Sequence, residues 1–296
     1  MMPLSDNLRG ALYMNVAMAA FTLNDAGMKV ATRSLPLFEA ITLRGAITSV
    51  LLICLGLVTG GLRHRLSRRD AGITGLRTVA EVGATLLFLT ALMHMPLANL
   101  SAIMQALPLA VTLGAALVFG DHVGWRRMLA ILAGFCGVLI IIRPGTAGFD
   151  VWSVAGLGSV ACVVLRDLST RRLSCQVPTV LVALCSGLGV MAMGLFGTLF
   201  TGWQPVDLTE ALVVAAASCA LIAGYMFGVM AMRVGDIGFV APFRYTSLIW
   251  AIALGWLVFQ ALPDAMTLTG AGIVIATGIY TLYRERKLAP APVASG

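Results

Sequence analysis

The feature of this sequence that most limits its fold is a succession of long apolar segments, separated by short connections that contain charge, proline or glycine. About 20 apolar residues cross a bilayer as a helix. Because backbone groups in lipid must hydrogen-bond internally, and the alternating pattern of membrane β-strands is absent, we expect an all-α, polytopic membrane protein. The ten predicted transmembrane helices cover residues 8–31, 37–58, 73–93, 97–118, 128–142, 150–168, 178–200, 208–232, 236–259 and 265–283.

The composition supports embedding in the lipid bilayer. Hydrophobic residues make up 59% of the chain and charged residues 11%, whereas a soluble domain is about half apolar and a quarter charged. The net charge of +7 arises from basic residues at the ends of apolar segments. Since they form no patch interleaved with aromatic residues, they are interpreted as topology signals, and no nucleic-acid partner is expected.

The distribution of Lys and Arg predicts the orientation of the helices. If the N-terminus is cytoplasmic, only Lys29, Arg33 and Arg143 fall in outside segments, as the positive-inside rule requires. This separation needs an even number of helices and predicts that both termini are cytoplasmic. The inside segments then hold Arg9, Arg63, Arg65, Arg68, Arg69, Arg126, Arg127, Arg166, Arg171, Arg172, Arg233, Arg284, Arg286 and Lys287.

Equal spacings between similar segments predict an internal repeat. Asn24-Asp25 precedes Arg166-Asp167 by the same interval that separates Pro36 from Pro178, and the triplet 117–119 returns as 257–259 at nearly the same offset. The predicted repeats are residues 8–145 and 150–287. Five helices in each make them inverted, which predicts a substrate site near the midplane between the halves and alternating access by rocking.

Two stretches resemble a known family. The segment from Gly120 to Gly145, GDHVGWRRMLAILAGFCGVLIIIRPG, resembles the end of an EamA domain in the drug/metabolite transporter superfamily. The opening NLRGALYM, with AFTLNDA from Ala20 to Ala26, is similar to the first helix of bacterial members. One departure is Gln260, where many members have an acidic residue at the end of the ninth helix.

The resemblance implies two tandem EamA units in the bacterial inner membrane and secondary transport of a small organic metabolite. Riboflavin, an amino acid, S-adenosylmethionine or a similar compound is the implied substrate, and the opening segment is similar to the riboflavin-uptake branch. Multidrug or metabolite efflux by the same fold is the alternative. A membrane receptor or sensor that does not transport is the alternative from another class.

Charged side chains deep in the membrane are the first candidates for the site, because burying them in lipid is costly. Arg44 in the second helix and Arg244 in the ninth lie too deep to reach water easily. A guanidinium in a dry cavity binds carboxylate or phosphate, so both are candidates for substrate capture. The alternative is an interhelical ion pair, Arg44 with Asp25 or Arg244 with Glu81.

The first and third helices carry further candidates. Glu81 either lines the pathway or pairs with Arg77, four residues away on the same helical face. Desolvation favours the protonated form of a carboxylate, so Asp25 is the candidate for proton coupling, and the alternative is an ion pair with Lys29. Asn24, beside Asp25, is a candidate for substrate binding.

Polar residues in the fourth and ninth helices complete the predicted site. Gln105 and Tyr245 occupy equivalent positions in the two repeats, and both interrupt apolar turns. Pro108 and Pro242 lack a backbone donor and predict kinks that leave carbonyl groups facing a cavity. Trp250 is expected either to pack or to stack on a ligand.

Other functions are not expected from the sequence. It contains no hydrolase, metalloprotease or nucleotide-binding motif, and its cysteines form no CxxC pair, so neither enzymatic activity, a metal nor a cofactor is expected. No filter typical of a channel is present. The small-residue pairs Gly224 with Gly228 and Ala130 with Gly134 permit a weak homodimer, although packing within one subunit is the favoured interpretation.

Overall fold

The computed structural model describes residues 6–121, 123–146, 150–234 and 236–288, with the side chains of residues 237, 238 and 285–288, including Arg286 and Lys287, outside the description. These residues form a bundle of ten helices, in agreement with the predicted all-α fold. The helices are α1 (Asp6–Ala31), α2 (Leu37–Thr59), α3 (Arg68–His94), α4 (Leu97–Met104 and Leu107–Phe119), α5 (Trp125–Ile142), α6 (Trp152–Arg171), α7 (Thr179–Thr201), α8 (Leu208–Val234), α9 (Ile237–Val240, a 3-10 segment Ala241–Tyr245, and Thr246–Phe259) and α10 (Ala265–Leu288).

Nine helical spans in the described residues are long and apolar enough to cross a membrane. The remaining helix, α1, has 26 residues but is more polar, because it carries Asn15, Asn24, Asp25 and Lys29. Large apolar side chains such as Val58, Leu117 and Phe200 stand on the outer surface of the bundle. Lipid solvates such a surface, and the chain is a multi-pass membrane protein.

Proline and glycine fix several helix ends. Pro36, Pro96 and Pro178 immediately precede α2, α4 and α7, where the missing N–H of proline costs no helical hydrogen bond. Gly60 and Gly120 end α2 and α4 with φ of 70° and 71°, a left-handed conformation that glycine adopts without strain. Proline before a helix and glycine after one therefore set the ends of the short connections that the sequence predicted.

Two helices are interrupted where proline predicted a kink. In α4 the regular helix stops at Met104 and resumes at Leu107, one residue before Pro108. In α9 a 3-10 segment contains Pro242. Because proline fits only the first turn of a helix without loss of a hydrogen bond, each interruption begins a new helical segment near the middle of the bundle.

The principal helix contacts all join the first five helices to the last five. Helix α1 packs along α8, α2 along α7, α3 along α6, α4 against α9, and α5 along α10. If each helix is exchanged with the one five places away in the chain, the set of pairs stays the same. A twofold relation between the predicted repeats, residues 8–145 and 150–287, would require this. The halves interdigitate, however, and do not form two separate bundles with a site between them.

Small residues allow the closest of these contacts. A Cβ atom added to Gly137 in α5 would lie 2.8 Å from the carbonyl oxygen of Gly270 in α10, and one added to Gly270 would lie 2.5 Å from that of Gly137. Gly224 contacts Phe21, and Gly134 contacts Leu109 and Thr277. The small-residue pairs of the sequence thus serve packing within the subunit.

Candidate functional site

A cavity of about 700 Å³ lies inside the bundle and is lined by residues of α1, α2, α3, α4, α6, α8 and α9. The sequence had predicted walls from helices 1, 2, 3, 4 and 9. Helices α6 and α8 join them because they pack along α3 and α1. Six predicted site residues line this cavity, namely Asn24, Asp25, Arg44, Glu81, Gln105 and Arg244.

The cavity extends from one face of the bundle to beyond its middle. Its lining includes Arg233, in the last turn of α8, and Leu89, twenty-one residues after the start of α3. With a rise of about 1.5 Å per residue, these positions lie about 2 Å and about 31 Å from that face. The open end is therefore on the face where α1 begins and α10 ends.

Two arginines in the cavity make no direct polar contact with the described part of the chain. Among the described residues, neither Arg44 nor Arg244 forms an ion pair or a hydrogen bond. Asp25 is the acidic group whose charge acts most on Arg44, but no direct contact joins them. Instead, Asp25 accepts a hydrogen bond of 2.9 Å from Nδ2 of Asn24. The guanidinium groups remain available to an anionic ligand.

Glu81 has a partner that the sequence did not predict. Nη1 of Arg166 lies 3.1 Å from Oε2 of Glu81, and its Nε donates to Oδ1 of Asp167 at 2.8 Å. Arg166 was predicted to lie in a cytoplasmic segment, but α6 continues to Arg171 and places Arg166 about 8 Å inside it, on the cavity wall. The predicted pairs of Glu81 with Arg77 or Arg244 do not form.

The basic residues predicted to pair with Glu81 and Asp25 make other contacts. Arg77 donates to Oγ1 of Thr170 at 2.9 Å and to Oγ of Ser186. Lys29 donates to the carbonyl oxygen of Leu92, in the last turn of α3, and to that of Met95, directly after this helix, at 2.7 Å. A cation at that position complements the C-terminal end of the helix dipole, so Lys29 joins α1 to the end of α3 on the face opposite the open end of the cavity.

The interruptions in α4 and α9 meet at the cavity wall. Nε2 of Gln105, which is buried, donates to Oγ of Ser247 at 3.0 Å and to the carbonyl oxygen of Tyr245 at 3.4 Å. The Tyr245 side chain is also buried, but outside the cavity lining, and its hydroxyl has no partner among the described residues. Trp250 lies outside the lining as well, and its Nε1 donates to Oδ1 of Asn15 at 2.8 Å.

Aromatic and methionine side chains form the apolar part of the wall, which the sequence did not reveal. Phe21 and Tyr225 pack edge to face with ring centroids 5.3 Å apart. Methionine fills irregular space and adapts to different ligands. The methionines that line the cavity are Met14, Met18, Met104 and Met232. Helical periodicity could have identified α1 as one source, since Met14, Met18, Phe21 and Asp25 share a face.

The arrangement is chemically suited to binding an anionic ligand. In the part of the chain that the structure describes, no group of three or more His, Cys, Asp or Glu residues could hold a metal ion. The lining combines four arginines with two carboxylates, one of which is neutralised by Arg166. Such a cavity attracts an anionic group and offers apolar surface to the rest of the ligand.

Comparison with known proteins shows which transporters the chain is similar to. Residues 8–143 match the sequence profile of the EamA-like transporter family. Over 94% of its length, the chain is 28% identical to the Pseudopaline exporter CntI of Pseudomonas aeruginosa, covering 97% of that protein.

Two other relatives carry different names. The chain is 27% identical to a Riboflavin transporter of Vibrio cholerae serotype O1, with 95% of each protein covered. It is 21% identical to an S-adenosylmethionine uptake transporter of Rickettsia prowazekii, over 95% of this chain and 94% of that one. One solved crystal structure, 22% identical, superposes with a TM-score of 0.63 over 95% of this chain and 99% of that chain, and so has the same fold.

Proposed function

We propose that this chain, whose residues 8–143 match the EamA-like transporter family, is a secondary transporter of a small organic metabolite bearing an anionic group. The observation that carries this proposal is the cavity in which, among the described residues, neither Arg44 nor Arg244 forms an ion pair with a carboxylate. A guanidinium in such a place binds carboxylate or phosphate with two parallel hydrogen bonds.

The rest of the lining supports a ligand with an apolar or aromatic portion. Phe21 and Tyr225 offer ring faces and edges, and the methionines offer polarizable surface that adapts in shape. Riboflavin, S-adenosylmethionine and pseudopaline, which the relatives' names give, and amino acids form the first panel of compounds. Riboflavin has neither carboxylate nor phosphate, so it tests whether the site requires an anionic group. Because the Pseudomonas relative is named an exporter, transport should be measured in both directions, export and uptake.

The orientation and the mode of transport are part of the same proposal. The protein would lie in the bacterial inner membrane with both termini in the cytoplasm, so that the cavity faces inward. Residues 8–145 and 150–287 would be inverted EamA repeats, a division supported by the symmetric set of helix pairs. Opening the end near Lys29 while closing the end near Arg233 would expose the site to the other side.

Flux into liposomes that contain the purified chain tests the proposal. We expect the wild type to move at least one compound of the panel. Arg44→Ala and Arg244→Ala should each raise KM by about tenfold or more, since a charge-assisted hydrogen bond contributes about 1.5–3 kcal/mol. Arg63→Ala is the matched control, because Arg63 is exposed and outside the cavity. A panel that binds but is never moved would favour a receptor, and unchanged KM in both cavity variants would refute the anion site.

Proton coupling through Asp25 is a second test of the mechanism. Its carboxylate lines the cavity with one side-chain hydrogen bond, from Asn24. If Asp25 carries the coupling proton, Asp25→Asn should abolish accumulation driven by a pH gradient while exchange of substrate at equal pH continues. Equal accumulation by wild type and variant would assign coupling elsewhere.

A further inference from the structure

A second concave surface lies on the outside of the bundle between α5 and α10. This groove has a volume of about 520 Å³ and is lined by Trp125, Arg126, Leu129, Ala130, Ala276, Thr277 and Tyr280. It shares none of its lining residues with the inner cavity. Trp125 is 68% exposed and Leu129 55%, so the walls of the groove face the surrounding medium, which in a membrane is lipid.

The groove arises from the way the two helices cross. At Gly137 and Gly270 their backbones are too close to admit a methyl group. Trp125, at the beginning of α5, lies about 18 Å along that helix from Gly137, and Tyr280 lies ten residues beyond Gly270. Toward the face where α5 begins, the groove opens as an apolar slot between the two helices.

The wide end of the slot is basic and aromatic. The Arg126 guanidinium stacks over the Trp125 ring at 5.2 Å from its centroid. Arg284 follows Tyr280 by four residues, on the same side of α10, and its Nε is buried without a hydrogen-bond partner in the described residues. Gly124, the N-cap of α5, offers no side chain to the first N–H groups of that helix, and the helix dipole there favours negative charge.

We propose that this groove binds one anionic phospholipid of the surrounding leaflet, with an acyl chain between α5 and α10 and the phosphate at Arg126 and Arg284. Charge complementarity carries the choice of an anionic lipid, because basic pockets between membrane helices hold acidic headgroups. Trp125 and Tyr280 lie at the level of the headgroups, as is typical of interfacial aromatic residues. The site is separate from the transport cavity and does not depend on the substrate.

Native mass spectrometry of the full chain, with phosphatidylglycerol or phosphatidylcholine added after delipidation, tests this site. We expect the wild type to retain one phosphatidylglycerol in preference to phosphatidylcholine. The variant with both Arg126→Gln and Arg284→Gln should bind phosphatidylglycerol about fivefold more weakly per charge removed. Its affinity for phosphatidylcholine should not change.

Two further variants distinguish binding in the groove from general attraction of lipid to a basic surface. Arg63→Gln removes an exposed arginine from the same face but outside the groove, and should leave the lipid preference unchanged. Ala276→Phe, at an exposed position of the groove wall, should displace the retained lipid while the protein stays monodisperse. Equal retention of both lipids by the wild type, equal weakening by Arg63→Gln, or a dimer that the groove variants dissociate without any change in lipid binding would overturn the proposal.

Discussion

At the scale of single residues, the ion pair of Glu81 with Arg166 has the clearest consequence for stability. It joins α3 to α6, and the two side chains are 17% and 22% exposed. Removing one member of a largely buried pair leaves the other without its partner, so Glu81→Gln should destabilise the protein by about 2 kcal/mol. Thermal unfolding in detergent measures this effect.

The double variant Glu81→Gln with Arg166→Gln is the control for that prediction. It should lose less stability than the sum of the two single variants, and the double-mutant cycle isolates the pairwise contribution. If the changes in unfolding free energy are additive, the two side chains have no interaction energy with each other. Arg166 still has Asp167, which limits the loss expected from Glu81→Gln.

Asp264, in the connection before α10, gives a prediction for the pH dependence of stability. The hydrogen bond from Arg143, together with that from the Thr267 backbone N–H, holds the pKa of the Asp264 carboxyl well below its usual range. The folded state thus binds a proton less readily than the unfolded state. The contribution to stability is complete above the ordinary pKa of about 3.9 and is lost as the pH falls through the lower folded value.

Asp264→Asn removes this charge and keeps the cap of α10, because an asparagine oxygen can also accept from the Thr267 N–H. Since Asp264 is half exposed, the loss at pH 7 should stay below about 1 kcal/mol. The difference between wild type and variant should shrink at pH values below about 4. Unfolding measured at several pH values tests the sign, and a difference that grows on acidification would contradict it.

The sequence identified some residues of the candidate site and missed others. Arg44, Glu81 and Arg244 were identified because a charge deep in an apolar segment is costly unless it faces a cavity or a partner. Arg166 was missed because near a helix end the same residue type also serves as a topology signal. Its role depends on the actual end of α6 and on Glu81, 85 residues away, and local sequence patterns do not encode such a contact.

At the scale of helices, the crossing of α5 and α10 depends on glycine. A methyl group at Gly270 would lie 2.5 Å from a backbone oxygen, whereas one at Gly272 in the same helix meets nothing within 4 Å. Gly270→Ala should therefore lower the melting temperature, because backbone cannot move aside as a side chain can. Gly272→Ala, the matched control, should leave it unchanged or raise it, since alanine favours helix. Equal effects would show that the crossing is not tight.

Helices were predicted more reliably than contacts between them. The apolar segments gave nearly the observed bounds, because the thickness of the hydrocarbon core sets the length of a spanning helix. Pro108 and Pro242 correctly predicted the interruptions in α4 and α9. The sequence did not predict that each helix of one half would pack along a helix of the other, since lipid-facing and protein-facing apolar residues look alike.

At the scale of the whole molecule, the orientation proposed above can be tested with single cysteines. Cys175, exposed between α6 and α7, lies on the face where the described chain begins at α1. With the other cysteines replaced, it should react with a membrane-impermeant maleimide only in inside-out vesicles. Thr146→Cys, an exposed position on the opposite face, should react only in right-side-out vesicles. The reverse pattern would place both termini outside.

The five helix pairs also make a prediction about chain continuity. Every principal contact of residues 8–145 is with residues 150–287, so neither half buries its own apolar faces. Two fragments divided between residues 146 and 150 should assemble into a folded protein when produced together, and each should be degraded when produced alone. Folding of one fragment by itself, seen as a monodisperse helical species, would contradict this expectation.

The same interdigitation bears on how such a protein could move. Two halves that share every major contact cannot rock as separate blocks, so a change of access must slide helices along partners from the other half. In mechanical terms the protein is equivalent to an intertwined dimer of its first five and its last five helices, in which each helix of one half is held by a helix of the other.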